Sequence, residues 1–410
     1  MTISRRSFLA TATAASLATR LHAETPQQLV SRTDRARTLR LADHYLPLAP
    51  ETITSFKAER SPGSPHDFYS EADYFWPDPA NPSGPYKEID GRTNPGNFLD
   101  HRRAMLAMAM AMPALTAAWL LTKKPAYAER AAQHLRAWFV TPATRMSPNL
   151  EYAQAVRQGV TGRSWGIIDT LHLAEVARAA TILQRGSSNS QPSRALSPSD
   201  TTAIHAWFRN YLHWLQSSKK GIAERDASNN HATAWALQAA EFARLIGDEA
   251  TRSAIRDRYR TTLLQQMAPD GSYPRELHRT KPYGYSIFNF DVMAGLTWSL
   301  GREQETRWTA PPSTPEATQT TSQTDTTPQG RGMCLAAHFL YPYLKDKSTW
   351  PYPPDIQHFE AWPVRSPGLL FCGLACKRAD YIALWQTLNP DPEDKEVNRN
   401  FPIRQPLLWM

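Results

Sequence analysis

Cysteine is scarce in this chain: Cys334, Cys372 and Cys376 are the only three among 410 residues. So small and odd a number argues against a disulfide framework. Burial as small apolar side chains is the expectation; pairing or metal binding by Cys372 and Cys376 is the alternative. No zinc-ligand spacing, no His-Glu-x-x-His motif and no glycine-rich phosphate loop is present. Neither a metal nor another cofactor is therefore expected. Runs of Lys and Arg are also missing, which speaks against a nucleic-acid partner. The formal charge of +8 is a mild excess, suited to an anionic partner without naming one. Long hydrophobic runs are nearly absent. Ala104 to Leu121 carries no charge, but it is rich in Ala and Met and contains Pro113. A membrane span needs roughly 20 strongly apolar residues, so a buried helix is expected here and stable membrane insertion is not. Convincing alternating strands are few, and no short repeat marks a solenoid array.

What the chain does have is helical periodicity. In "TTAIHAWFRNYLHWLQSS", Ile204, Trp207, Phe208, Tyr211, Leu212 and Leu215 form one apolar stripe. Similar runs cover about 101–122, 126–140, 166–184, 231–247, 249–267, 286–301, 331–345 and 367–387. Trp138 and Trp207 read as core residues on such helices. Length alone suggests two or three domains, although helical toroids run this long as one unit. An all-α fold is expected over 24–410, an α/α toroid (an incomplete α/α barrel) with long irregular loops. An α-solenoid is the alternative. Residues 1–23 carry Arg5 and Arg6, a short Ala/Thr/Leu-rich stretch and a small residue at Ala23. They read as a twin-arginine export signal, implying a periplasmic or secreted bacterial protein. Arg185–Asp200 reads as a polar linker, and Ala310–Arg331, rich in Thr, Pro and Gln, as a mobile loop.

Three stretches carry chemistry. The segment "FYSEADYFWPDPANPSGPYKEIDGRTNPGNF" mixes aromatics with Pro and Gly. Long irregular segments are often functional, and flat aromatic faces can stack on sugar rings. In "SNNHATAW", Ser228, Asn229 or Asn230 is placed to cap a helix starting near His231. The same helix N-terminus is a natural anion site. In "DGSYPRELHRTKPYGYSIFNF", Arg275, Arg279, Lys281, Tyr283 and Tyr285 lie close together. A tyrosine beside cations has its phenolate stabilised and its pKa lowered, which suits a base.

Taken in order, "YSEADYFWPDPANPSGPYKEIDGRTNPGNFLDHRR", "RAWFVTPATRMSPNLEYAQAV", "GIIDT", "NNH" and "PRELHRTKPYGYSIFN" resemble the alginate lyase superfamily, helical-toroid polysaccharide lyases. The resemblance covers about 65–355. It implies β-elimination on an anionic polysaccharide, alginate (polymannuronate) first and glucuronan second. It places the carboxylate-neutralising pair on Asn230 and His231, the arginine on Arg279 and the catalytic tyrosine on Tyr285. The spacing of arginine and tyrosine is one residue shorter than in the better-known members, so Tyr283 stays a rival to Tyr285. Neutralising the uronate carboxylate lets the C-5 carbanion spread as an enolate, and losing one such donor typically costs ~3–4 kcal/mol. His231 is an alternative base. Around this centre, Tyr74 and Trp76 are expected as stacking walls. Asn149, Tyr152 and Gln154 are expected to bond hydroxyls or carboxylates. Arg157 and Arg163 add positive charge, and Asn229, Arg275 and Tyr283 complete the expected substrate contacts.

Two other classes fit parts of the pattern. One is an exported binder of acidic glycans without catalysis. The other is a glycoside hydrolase, which needs two suitably spaced carboxylic acids; Asp73, Glu151 and Asp169 are the candidates.

Overall fold

The computed structural model describes residues 24–186, 191–301, 308 and 331–410. The expected export signal, residues 187–190 of the 185–200 linker and nearly all of the 310–331 loop lie outside these.

Helix α1 (Pro26–Tyr45) was not marked by any apolar stripe. A capping box fixes its start, with Thr25 and Gln28 each bonding the other's backbone and Pro26 in the first turn. Next come α2 (Asp100–Thr122), α3 (Pro125–Phe139), α4 (Leu173–Arg185) and α5 (Pro198–Ser217), the last begun by a second capping box at Ser197. After short α6 (Lys219–Arg225) come α7 (Asn230–Ile246) and α8 (Glu249–Thr261). The one-turn α9 (Pro274–Leu277) precedes α10 (Pro282–Ser299). Finally α11 (Met333–Lys345), α12 (Pro367–Ala375), α13 (Ala379–Thr387) and short α14 (Lys395–Arg399) complete the set. The expected 367–387 helix is two, because Lys377 takes a left-handed φ of 56° between them.

Packing partners give the architecture. Helices α2, α4, α7, α10 and α12 contact one another in that order, and α3, α5, α8, α11 and α13 pack outside them. This is an α/α toroid. The inner helices are the ones buried on nearly every side. In α7, fourteen residues from Asn230 to Leu245 are buried, and α10 is buried from Pro282 to Ser299 except at Tyr285. Helix α2 alone among the described residues is long and apolar enough to cross a membrane, and 72% of its apolar window is packed inside the protein. Trp138 and Trp207 are core residues, each donating its indole N–H to a backbone carbonyl, of Glu51 and Met146.

The Pro-rich aromatic segment folds over one end of the ring. Strand β1 (Tyr69–Glu71) pairs in parallel with β4 (Tyr152–Ala155), and β2 (Phe75–Trp76) pairs antiparallel with β3 (Lys87–Glu88). Behind β4 runs a 3₁₀ turn, Ser164–Thr170. The two approach so closely that a Cβ on Gly166 would sit 2.4 Å from the Ala153 side chain.

The cysteines correct the sequence reading. Cys334, at the start of α11, is disulfide-bonded to Cys376, at the end of α12. Cys372, one turn earlier on α12, points into the core and stays free. Spacing along one helix misled here: the partner of Cys376 comes from the neighbouring helix.

Buried charge ties the ring together. Arg178 on α4 makes a bidentate pair with Glu241 on α7, at 3.0 and 2.6 Å, and its guanidinium lies 4.0 Å from the Trp409 ring. Ser299 at the end of α10 bonds the same carboxylate. Removing one partner of such a pair strands the other in a dry interior. Glu241→Ala is therefore expected to lower stability by about 3–5 kcal/mol, read as a shift in urea midpoint.

Two further carboxyls fix acid sensitivity. Burial alone would raise Glu71, but hydrogen bonds from Arg60, Arg157 and the Phe98 N–H bring it down to about 2. Asp73 is likewise raised by burial and brought down to about 2 by Arg102 and Arg399. Both folded-state values lie below the unfolded ones, so the folded protein binds fewer protons. The stabilisation is complete above about pH 4.5 and is lost as pH falls toward 2. Urea midpoints of the wild type should fall steeply below about pH 4. Asp73→Asn should be less stable at neutral pH and show a shallower acid slope.

Candidate active site

One cleft of about 410 Å³ opens where the aromatic segment, the N-terminus of α7, the start of α10 and α14 meet. Asn229, Asn230, His231, Arg279, Tyr285, Tyr74, Gln154 and Arg163 all line it.

The α7 end differs from a simple cap. Asn229 is the N-cap residue, but its side chain makes no capping bond. Instead Glu276 on α9 accepts from both the backbone N–H and the side-chain amide of Asn230, at 2.8 and 2.7 Å. The polar group that serves this helix N-terminus is thus a carboxylate from another element. Desolvation raises the Glu276 pKa, against the two Asn230 bonds. His231 bonds through Nδ1 to the buried Glu224 carboxylate at 2.6 Å. Glu224 takes the Nδ1 proton's hydrogen bond, so Nε2 is the nitrogen left for the cleft. Trp165 packs on the imidazole, with centroids 5.7 Å apart.

The opposite wall holds the phenol. Tyr285 lies in the first turn of α10, with its hydroxyl 2.8 Å from that of Tyr74 and 3.1 Å from Nη2 of Arg279. The guanidinium of Arg279 also lies 4.2 Å from the Tyr285 ring. Asp90 fixes it from behind through two bonds, at 3.2 and 2.6 Å. The expectation of a lowered tyrosine pKa is corrected. Burial pushes Tyr285 up to about 12, outweighing the opposite pull of Arg279 and of the Tyr74 hydrogen bond.

The remaining wall is cationic. Arg163 lies 4.6 Å from the Phe75 ring and 4.7 Å from the Trp165 ring. Its hydrogen bonds go to the carbonyl and amide oxygens of Gln154. No carboxylate among the described residues pairs with it, and burial lowers its pKa. Gln154 holds a left-handed φ of 50° and is fixed by Ser70 and Asp169. Strain of this kind in a non-glycine residue gathers at functional sites. Arg399 lines the cleft too, held by Asp73 at 2.6 Å.

Several expected contacts lie elsewhere. Tyr283 is in the core: its hydroxyl bonds the Tyr343 carbonyl, and Trp350 and Phe359 pack on its ring. One residue of α10 turns the side chain by about 100°, so position 283 cannot share the face of position 285. Trp76 is not part of the cleft wall; its indole bonds the Arg92 carbonyl. Arg157 is consumed by Glu71 and Tyr86. Asn149 caps the turn to Glu151, and Tyr152 covers Gly63. Arg275 borders a separate groove beside Asp226 and Gln265. The carboxylic acids considered for hydrolysis are all engaged: Asp73 with Arg102 and Arg399, Asp169 with Arg102, Ser70 and Gln154, and Glu151 with Lys220 and Trp214. Among the described residues no three His, Cys, Asp or Glu side chains converge as a metal-ligand set.

Trp165, Asp90 and Arg399 were missed by the sequence reading. Trp165 stands directly before the quoted "GIIDT", and an aromatic next to Arg163 was the available signal. Nothing local marked Asp90 or Arg399.

Chemically, the cleft sets amides, an imidazole and an arginine free of carboxylate contacts around a space bounded by a phenol. It can hold a carboxylate and move a proton beside it. The chain is similar to several known proteins. An alginate lyase from Bacteroides ovatus, solved by crystallography, is 28% identical, with 93% of this chain and 94% of that one covered and a TM-score of 0.71. Alginate lyase A1-III from Sphingomonas species A1 is 13% identical, with 94% and 97% covered and a TM-score of 0.46. The same enzyme type complexed with a tetrasaccharide is 14% identical, with 94% and 96% covered and a TM-score of 0.49. No curated protein matches. The family model described as alginate lyase matches residues 52–350, most of the chain, and the protein therefore belongs to the alginate lyase family of polysaccharide lyases.

Proposed function

We propose that the protein cleaves a 4-linked polyuronate by β-elimination, with polymannuronate as the first substrate and glucuronan as the second. The observation that carries this reading is the placement of His231, Asn229 and Asn230 in the same cleft as the Tyr285–Arg279 pair. A pure binder needs the first set and has no use for a half-buried phenol bonded to a guanidinium.

The C-5 proton of a uronate is a poor acid, because the carbanion forms beside an ionised carboxylate. The asparagine amides donate to that carboxylate, as does His231 Nε2 when the imidazole carries both ring protons, and donors that strengthen as its charge grows lower the barrier. Glu224 and Glu276 hold these donors in place, so little reorganisation accompanies the reaction. Tyr285 removes the proton. At about 12 it is mostly neutral near pH 7, and the Arg279 and Tyr74 bonds favour the phenolate that does the work. In mannuronate and glucuronate the C-5 proton and O-4 lie on one face. Tyr285 then passes the proton to the departing O-4, and the product carries an unsaturated uronate at its new non-reducing end. Arg163, without a carboxylate of its own, suits a neighbouring uronate along the chain.

Export through the twin-arginine route to the periplasm or beyond is part of the same proposal. It is supported by Arg5 and Arg6 with the apolar stretch that follows. The Cys334–Cys376 bond also fits an oxidising compartment.

The test is ultraviolet absorbance of the leaderless protein with polymannuronate, polyguluronate and glucuronan. Absorbance should rise with polymannuronate first. Tyr285→Phe should lose turnover by about 10²-fold or more while binding the polymer nearly as before. Flat traces on all three polymers from a folded protein would favour the non-catalytic binder.

A further inference from the structure

We infer that Tyr74 and Glu396 together set the pH at which the cleft's base becomes active: Tyr74 donates the hydrogen bond that stabilises the Tyr285 phenolate, and Glu396 competes for the same proton. This rests on the assignment of Tyr285 as the base.

The geometry carries it. Tyr74 has one hydroxyl proton and two acceptors within reach, the Tyr285 oxygen at 2.8 Å and Glu396 Oε1 at 3.4 Å. When Tyr285 is neutral, Tyr74 can turn its proton to Glu396 and accept from Tyr285. When Tyr285 is ionised, only donation from Tyr74 to the phenolate satisfies both oxygens. Glu396 is held as an acceptor by the α14 N-cap, Asp394, which bonds its backbone N–H. Lys281 also bonds Oε1, Thr93 bonds Oε2 at 2.9 Å, and His358 Nε2 lies 3.4 Å from Oε2. Nothing in the motif-bearing part of the chain supplies this carboxylate; it arrives from residue 396, beyond the family match.

Charged and titratable groups face the pair from every side. Tyr285 feels Arg279, Tyr74, Asp90 and Glu396. Tyr74 feels Tyr285, Glu396 and Arg399, with the Lys281 ammonium 5.1 Å from its ring. Glu396 feels Arg399, Lys281 and His358, and Asp355 lies near enough to feel it in turn. Two substitutions in this set have opposite expected signs. Tyr74→Phe removes the donor and leaves the ring, so the phenolate is harder to form. Glu396→Gln removes a negative charge and a competing acceptor, so the phenolate is easier to form.

The experiment is the pH dependence of kcat and KM on the polymer that responds best. The ascending limb of kcat should move up by about one pH unit in Tyr74→Phe and down in Glu396→Gln, since a charge-assisted hydrogen bond shifts a pKa by about that much. At a fixed pH on that limb, kcat should fall about tenfold in the first and rise in the second, with KM within about threefold of wild type. A raised KM with an unmoved limb in Tyr74→Phe would make the Tyr74 hydroxyl a sugar-binding group and overturn the inference. A Glu396→Gln limb that stays put or moves upward would remove the competition. If melting shows that Glu396→Gln does not fold, the conservative Tyr74→Phe limb decides alone. Full turnover in Tyr285→Phe is a different result: it refutes the identity of the base rather than the tuning.

Discussion

Asp73 holds the site together. Its two oxygens accept from Arg102 on α2 and Arg399 on α14, both at 2.6 Å. Arg102 continues to Asp169, which in turn accepts from Ser70 and Gln154. A single ladder thus joins an inner helix, the irregular segment, β4 and the C-terminal helix at the cleft, which Asp73, Gln154 and Arg399 line. Taking so many charges out of water is costly unless each finds its partner. That requirement fixes the relative placement of elements far apart in sequence, which apolar packing alone tolerates loosely.

The same device recurs one layer nearer the substrate. Each candidate reacting group has a protein carboxylate behind it: Glu276 for Asn230, Glu224 for His231, Asp90 for Arg279 and Glu396 for Tyr74. The donors around the cleft are therefore backed by four carboxyl groups. The arrangement gives up raw positive potential and gains orientation, because each donor is locked in one direction before substrate arrives. Arg163 is the contrast. It is held by stacking and by neutral oxygens, with carboxylates acting on it only from a distance.

Much of this was legible in the sequence, and the limits have physical causes. Helical stripes with a 3.6 period identified the ring because its helices are amphipathic or wholly buried. They failed at α1, whose surface-facing residues carry little apolar periodicity, and at α12–α13, where one left-handed residue breaks a continuous apolar pattern. "NNH" and "LHRTKPYGY" pointed to the cleft because adjacent residues at helix starts stay adjacent in space. Residue type alone could not say which face a side chain takes. Tyr283 and Tyr285 differ only by two steps along α10, and that sends one into the core and the other into the cleft. Arg157 had the right charge and stands near the right loop, yet Glu71 consumes it. Pairing of that kind is invisible without the fold.

The C-terminal segment shows why a motif-centred view stops short. Residues beyond 350 lie outside the family match, yet α14 supplies Arg399 to the cleft and Glu396 to the Tyr74 hydroxyl behind it. Its position depends on the chain end. Glu175, fully buried on α4, accepts from the backbone N–H groups of Arg404 and Gln405 and from the Trp409 indole. Arg404 in turn bonds the Asn398 side chain at 2.9 Å. The last residues thus act as a clasp that holds α14 against the ring. In this protein the quoted motifs lie at the starts of α7 and α10, while a short helix beyond the family match brings Arg399 to the cleft and sets Glu396 against Tyr74.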